Sequence, residues 1–279
     1  MVRKKIRKLI PRIVQYLVLS AISIVVLIPI GAMAHSATIV RAPLYIRLIY
    51  RDVPEWSLNF MFFMNAPGFW TMLKNSVIVM AGTTAAALTV CSLAAFVFAR
   101  MRFRTKDLLF NILTLGLMFP VTIAILPVFL VARQVKITDL LAGIVVVQTA
   151  FAISGNVMIL RGFFLAVPLE LEDAAYIDGC TPFDFFRRIL LPMTRPALAA
   201  VAALVMIASW NDLLVPLVLI NKESLWTLPL GTTLTMGAYG NDTPLVFAFV
   251  TLSMIPTLVF YFLAERQIVS GLTAGAVKQ

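Results

Sequence analysis

Six apolar runs, each close to the roughly 20 residues an α-helix needs to cross the hydrocarbon of a bilayer, dominate this chain. They lie near 13–34, 75–99, 109–131, 141–163, 196–219 and 245–265. Of 279 residues, 61% are apolar and 13% charged, where a soluble chain averages about half and about a quarter. Mean hydropathy is +0.96. The excess must face lipid rather than one buried core, which excludes an ordinary cytosolic enzyme and predicts an all-α, polytopic membrane protein of six spans.

The charge pattern orients those spans. Lys and Arg number 23 against 13 Asp and Glu, yet they gather in short stretches between apolar runs, as topology signals do, and form no stripe for nucleic acid. Under the six-span scheme, 16 basic residues fall on one face and seven on the other. The richer face is expected to be cytoplasmic and to carry both termini. The first span follows Arg3, Lys4, Lys5, Arg7, Lys8 and Arg12 and ends near Ala32-Met33-Ala34, which resembles a signal-peptidase site. Its apolar stretch from Ile13 to Gly31 exceeds the roughly 7–15 residues of a cleaved signal, so an uncleaved anchor is expected. Cys91 and Cys180 lie 89 residues apart without metal-ligand spacing and read as free thiols.

Two outer loops are expected, His35 to Lys74 and Ile220 to Pro244. The first carries Trp56, Phe60, Phe62, Phe63, Phe69 and Trp70, either as short interfacial helices or as an aromatic belt. Neither an internal repeat nor a low-complexity linker stands out, so residues 1–279 read as one membrane domain.

The connection from Phe164 to Arg195 is the long one on the basic face, and long loops usually have a task. Pro168 suits a first helical turn, with Glu170, Glu172 and Asp173 at the end the macrodipole favours for negative charge. Gly179 is placed to end that helix. Thr181-Pro182 opens a second, with Asp184 in the capping-box position. Pro192 is expected to stop it and Pro196 to open the fifth span. Leu171, Ala174, Ala175 and Asp178 share one face of the first helix. Phe183, Phe186 and Leu190 line one side of the second, with Arg187 and Arg188 toward another. Such a ridge can rest on the inner leaflet or act as a knob docking on a cytoplasmic partner.

Asp173-Ala174-Ala175, Gly179, Ile189 and Leu191-Pro192, with their fixed gaps, resemble the EAA signature of membrane subunits of bacterial ABC importers. The departure is Asp173 where the family has glutamate, with Glu172 just before it. Ser209-Trp210-Asn211-Asp212, Leu228-Pro229-Leu230-Gly231 and the tail from Gly271 to Val277 resemble the shorter permease of the carbohydrate-uptake branch. The resemblance covers most of the chain from about Gly68 onward. It implies a heteromeric importer in the bacterial inner membrane: this permease, a paralogous permease, two ATP-binding cassette subunits and an extracytoplasmic solute-binding protein. It also implies that the loop at about 164–195 is the coupling loop, with Glu172, Asp173, Ala174, Ala175, Gly179, Ile189, Leu191 and Pro192 at the ATPase contact.

No Gly-x-x-x-x-Gly-Lys-Ser/Thr loop is present, so ATP is expected at the partner subunits and no cofactor on this chain. His35 has no metal-ligand company and no Ser/His/Asp order stands out, so no metal site and no covalent chemistry are expected. Polar residues inside the spans are the candidates for a translocation path: Asn111, Gln148, Asn156, Asn211 and Asp212. Gln148 and Asn156, eight apart, can share a face. Pro120 and Pro127, seven apart in the third span, each permit a bend that a path-lining helix would use. Interhelical packing is the more common use of such amides, and proline is common in membrane helices. The expected function is half of the pore of an ATP-driven sugar or oligosaccharide importer. The alternatives are glycerol phosphate or a polyol as cargo and, more distantly, a secondary transporter driven by an ion gradient.

Overall fold

A computed structural model describes residues 2–39, 47–48, 52, 54–239 and 242–276, with side chains from Val14 to Phe262 over those ranges, Tyr239 excepted, and at Glu265. Arg41, Arg51 and Lys278 of the charge count, and the side chains of the 271–277 tail, lie outside the described residues. Every described element is helical. The helices are α1 (Val2–Ala37), α2 (Leu58–Met64), α3 (Pro67–Arg100), α4 (Lys106–Leu115), α5 (Val121–Gln134), α6 (Leu141–Leu165), α7 (Leu169–Ile177), α8 (Pro182–Met193), α9 (Arg195–Trp210), α10 (Leu214–Leu219), α11 (Leu228–Tyr239) and α12 (Thr243–Ala276).

By contact the chain forms two compact units, one of Met1–Ala66 with Thr232–Met254 and one of Pro67–Gly231 with Ile255–Gln279. In the first, α1 exposes its apolar side chains from Val14 to Ile30, as a lipid-facing helix does. Its C-terminal carbonyls need partners, and Asn59 of α2 donates to the carbonyls of Ala37 and Ile39, both at 2.8 Å. Phe63 packs edge-on against Phe249 at 5.2 Å.

The second unit is built around α3, α6 and α9. Between helices in lipid the driving force is close packing, which favours small residues at contacts. On α3 these recur every four residues, at Ala87, Cys91, Ala95 and Ala99, all buried. They share one core with Val157, Leu160 and Phe164 of α6 and with Ala197, Val201 and Val205 of α9.

Among the described residues, four helices are long and apolar enough to cross a membrane: Val14–Ala37, Pro67–Arg100, Leu141–Leu165 and Thr243–Phe262. The expected third span is not one straight helix. Lys106–Met118 and Val121–Gln134 meet at 109°, because Pro120 drives the residue before it out of helical conformation and Phe119 is extended at ψ 114. Pro120 therefore stands before the helix that contains Pro127, and the two do not share a face of a continuous rod. The expected fifth span is interrupted too. Helix α9 ends at Trp210 and α10 begins at Leu214, with the Asp212 carboxylate accepting from the N–H groups of Leu214 (3.0 Å) and Val215 (3.3 Å).

Pro192 does not stop α8. A single wide turn over Phe186–Leu190 precedes it, and the chain breaks only at Thr194, where α8 and α9 meet at 79°. Proline has no N–H to donate, and a π-type turn just before it absorbs that loss.

Candidate functional site

Two places in the second unit gather the residues singled out in the sequence. The first is the 164–195 loop. Helix α7 ends as Gly179 predicts: the Cys180 N–H reaches back to the Ala175 carbonyl at 2.9 Å, and Gly179 takes φ +85, the left-handed conformation this closure needs. Helix α8 opens with a complete capping box. Thr181 Oγ1 accepts from the Asp184 N–H at 3.2 Å, and the Asp184 carboxylate accepts from the Thr181 N–H at 3.3 Å and from its hydroxyl at 2.6 Å. The Thr181 hydroxyl and N–H hold the Asp184 carboxyl below the ordinary carboxylate value.

The faces of this loop differ from the sequence expectation. Ala175 is buried, whereas Leu171, Ala174 and Asp178 are exposed. Phe186 and Leu190 are buried and Phe183 is exposed, so most of the apolar ridge is taken up by the chain's own helices, with Phe186 against Phe96 of α3 at 5.0 Å. Ile189 and Leu191 are half-buried against the same core, and Pro192 is exposed. What faces outward is Leu169, Asp173, Ala174, Phe183 and, at 86% exposure, Ile177.

Glu172 and Asp173 are separated by burial. Asp173 is exposed. Glu172 points inward, its Oε2 3.2 Å from Nη1 of Arg100, and its Oε1 accepts from the Tyr176 hydroxyl at 2.8 Å. Nη2 of Arg100 donates to the carbonyls of Phe164 and Val167, each at 2.6 Å. Burial and the adjoining Glu172 carboxylate push the Tyr176 phenol up to about 12, so it keeps its proton and remains a donor. Arg100 and Tyr176 were not among the sequence candidates, since nothing distinguishes Arg100 from Arg102 and Arg104 in the same basic cluster.

The second place is a cavity of about 460 Å3 bounded by α3, α5, α6, α9 and α10, within the usual range for small-molecule sites. Gln148, Asn156 and Asp212 line it together with Thr83, Ser209 and Phe151, and among the described residues no Lys or Arg does. Gln148 is the hub. Its Oε1 accepts from Thr83 at 2.9 Å and Ser209 at 2.6 Å, and its Nε2 donates to Asp212 Oδ2 at 2.8 Å. Asn156 donates to the Ala152 carbonyl one turn back at 2.8 Å. Asn211, Pro120 and Asn111 lie off this wall. Asn211 is exposed and donates to Ile207 of its own helix, and Pro120 is exposed at the bend, with Val121 taking its place on the wall. Asn111 is exposed on α4. Thr83 escaped the sequence reading because a hydroxyl in a long apolar helix ordinarily bonds its own backbone. Among the described residues no group of three His, Cys, Asp or Glu side chains could hold a metal ion.

Residues 87–269 match the model of the family described as binding-protein-dependent transport system inner membrane component. The chain is 35% identical over 215 residues to the diacetylchitobiose uptake system permease protein of Streptomyces coelicolor, covering 76% of this chain and 77% of that one. It is 34% identical over 212 residues to the trehalose transport system permease protein of Mycobacterium tuberculosis, covering 75% and 77%. The fold is similar to that in the crystal structure of a bacterial ABC transporter involved in the import of the acidic polysaccharide alginate. That match has a TM-score of 0.70 at 20% identity and covers 89% of this chain and 96% of the other.

Proposed function

This chain belongs to the family of binding-protein-dependent transport system inner membrane components and is a multi-pass membrane protein; on that premise we propose that it is the permease subunit of an ATP-driven importer of sugars or oligosaccharides. The observation that carries the reading is the 164–195 loop. It is locked onto three helices by its buried side, and it offers Asp173, Ala174 and Ile177 on its outer side to a partner. In this reading the bent pair α4 and α5, and α9 continued by α10, complete a six-span arrangement with both termini and the loop, α8 included, in the cytoplasm. The partners are a paralogous permease, two ATP-binding cassette subunits and an extracytoplasmic solute-binding protein. The chain itself carries out no covalent chemistry.

A permease needs a site that changes its access and a handle by which another subunit changes it. Here the cavity is the site and the loop is the handle. Amides and hydroxyls beside an aromatic ring suit a neutral, hydroxyl-rich solute, and Gln148, Asn156, Ser209 and Phe151 supply these. The relatives' names point to di- and oligosaccharides as the class.

The test is uptake of trehalose, diacetylchitobiose and arabino-oligosaccharides by the complete complex in proteoliposomes, with its solute-binding protein. Uptake of at least one of them is expected to require ATP and to survive ionophores that collapse proton and sodium gradients. Uptake that follows an ion gradient without ATP would overturn the reading, as would labelling of Asp173→Cys from the exterior.

A further inference from the structure

We propose that Arg100 is a positioning residue that makes the loop helix α7 and the long helix α3 move as one body. The push of an ATPase then reaches α3 as well as α6 and α9, to which the loop is joined by the chain itself. This rests on the permease reading above.

The guanidinium closes α3 and has three oxygens around it. Two are the carbonyls of Phe164 and Val167 at the end of α6, where helix termini leave acceptors without partners. The third belongs to Glu172 of α7, fixed in turn by the Tyr176 hydroxyl. A planar fork can serve all three at once, which a lysine ammonium on a flexible stem does less well. Both charged side chains are sealed from solvent. A surface pair would part and re-form with little cost, whereas parting this one strands two charges away from water, so the link persists while its surroundings move. One turn earlier on α3, Phe96 packs on Phe186 of α8, so the last turns of α3 hold both helices of the loop.

The other end of this lever is the cavity. Thr83 lies 17 residues before Arg100 on the same helix, about 25 Å along its axis, and donates to Gln148 in the cavity wall. Displacement of α7 is thereby carried along α3 to a residue that shapes the site.

The experiment uses the complete complex in lipid nanodiscs with Cys91→Ala and Cys180→Ser. Spin labels at Met101→Cys and Glu170→Cys, both exposed, lie on either side of the link. Their distance is read by double electron–electron resonance without nucleotide and after trapping with Mg·ATP and vanadate. With Arg100 and Glu172 intact, the distance is expected to be the same in both states. With Glu172→Gln it is expected to broaden and to shift by about 2 Å or more on trapping. A shift of that size in the intact protein overturns the proposal, whether or not the Glu172→Gln complex assembles. So does an unchanged distance in Glu172→Gln. A complex that traps no nucleotide at all would instead strike at the permease reading.

Discussion

Arg100 and Glu172 meet at 3.2 Å with their side chains only 2% and 9% exposed, one on the last turn of a long apolar helix and the other on a short loop helix 72 positions later. Removing one member leaves the other as a buried charge without its partner. Glu172→Ala and Arg100→Ala are each expected to cost about 3–5 kcal/mol. The double replacement Arg100→Ala with Glu172→Ala should cost much less than their sum. Thermal unfolding of the four proteins in detergent, read as a double-mutant cycle, checks this, and additive losses would refute the coupling.

Gln148 joins α3, α6, α9 and the break at Asp212, and its amide is fully specified, since Oε1 already serves two hydroxyl donors. Asp212→Asn therefore sets an amide between two tasks, facing the Gln148 N–H or capping α10, and it can do only one with its oxygen. A loss of about 1–3 kcal/mol is expected. Asp212→Leu, which abandons both, should lose more, and equal melting temperatures for the two variants would contradict this account.

Gly179 has open space where a Cβ would stand, so the constraint is its left-handed backbone and not room. Gly179→Ala and Gly179→Leu are expected to cost alike, about 1–2 kcal/mol, and Gly179→Asn less. Hydrogen exchange at the Cys180 amide, which closes the helix end, should rise in the same order.

Gly143 is a different case. A Cβ there would strike the carbonyl of Ile137, and the backbone between them cannot yield without moving the 135–140 turn. Gly143→Ala is expected to lower thermal stability and to loosen the bond from the Asn221 N–H to Asp139 Oδ1, which is 2.6 Å here. Faster exchange of the Asn221 amide would show it.

The Asp139 carboxyl is held below its ordinary value of 3.8, first by that Asn221 N–H and further by the Lys222 N–H. A depressed carboxyl stabilises the folded state fully above its unfolded value, and the contribution fades as pH falls through the lower folded value. The 220–222 amides should thus exchange as slowly at pH 5 as at pH 7 on a rate-corrected scale, and lose protection only below about 3.8. Asp139→Asn should remove that acid sensitivity.

Much of the loop was legible because its punctuation is local. A glycine past a helix end, and a threonine, proline and aspartate at a helix start, act within a turn, and both closures form as their spacing predicts. Pro120 was visible as a bend, but not as a turn of 109°, because the extended conformation forced on Phe119 acts on top of the missing hydrogen bond. The Phe183, Phe186 and Leu190 ridge was expected to meet the inner leaflet or a partner, whereas Phe186 and Leu190 are covered by the chain's own helices and Phe183 is exposed, since periodicity shows a face and never what lies opposite it.

Residue order alone decided that this is a helical, lipid-solvated chain whose long polar loop bears a family signature, because hydrophobic length and capping chemistry are written along the backbone. Only the three-dimensional packing decided that Glu172 turns inward and Asp173 outward, that Arg100 of all the basic residues closes the gap, and that Thr83 reaches Gln148. Those choices depend on which helices meet and how closely the small residues of α3 let them approach, and distance in the sequence carries no record of either.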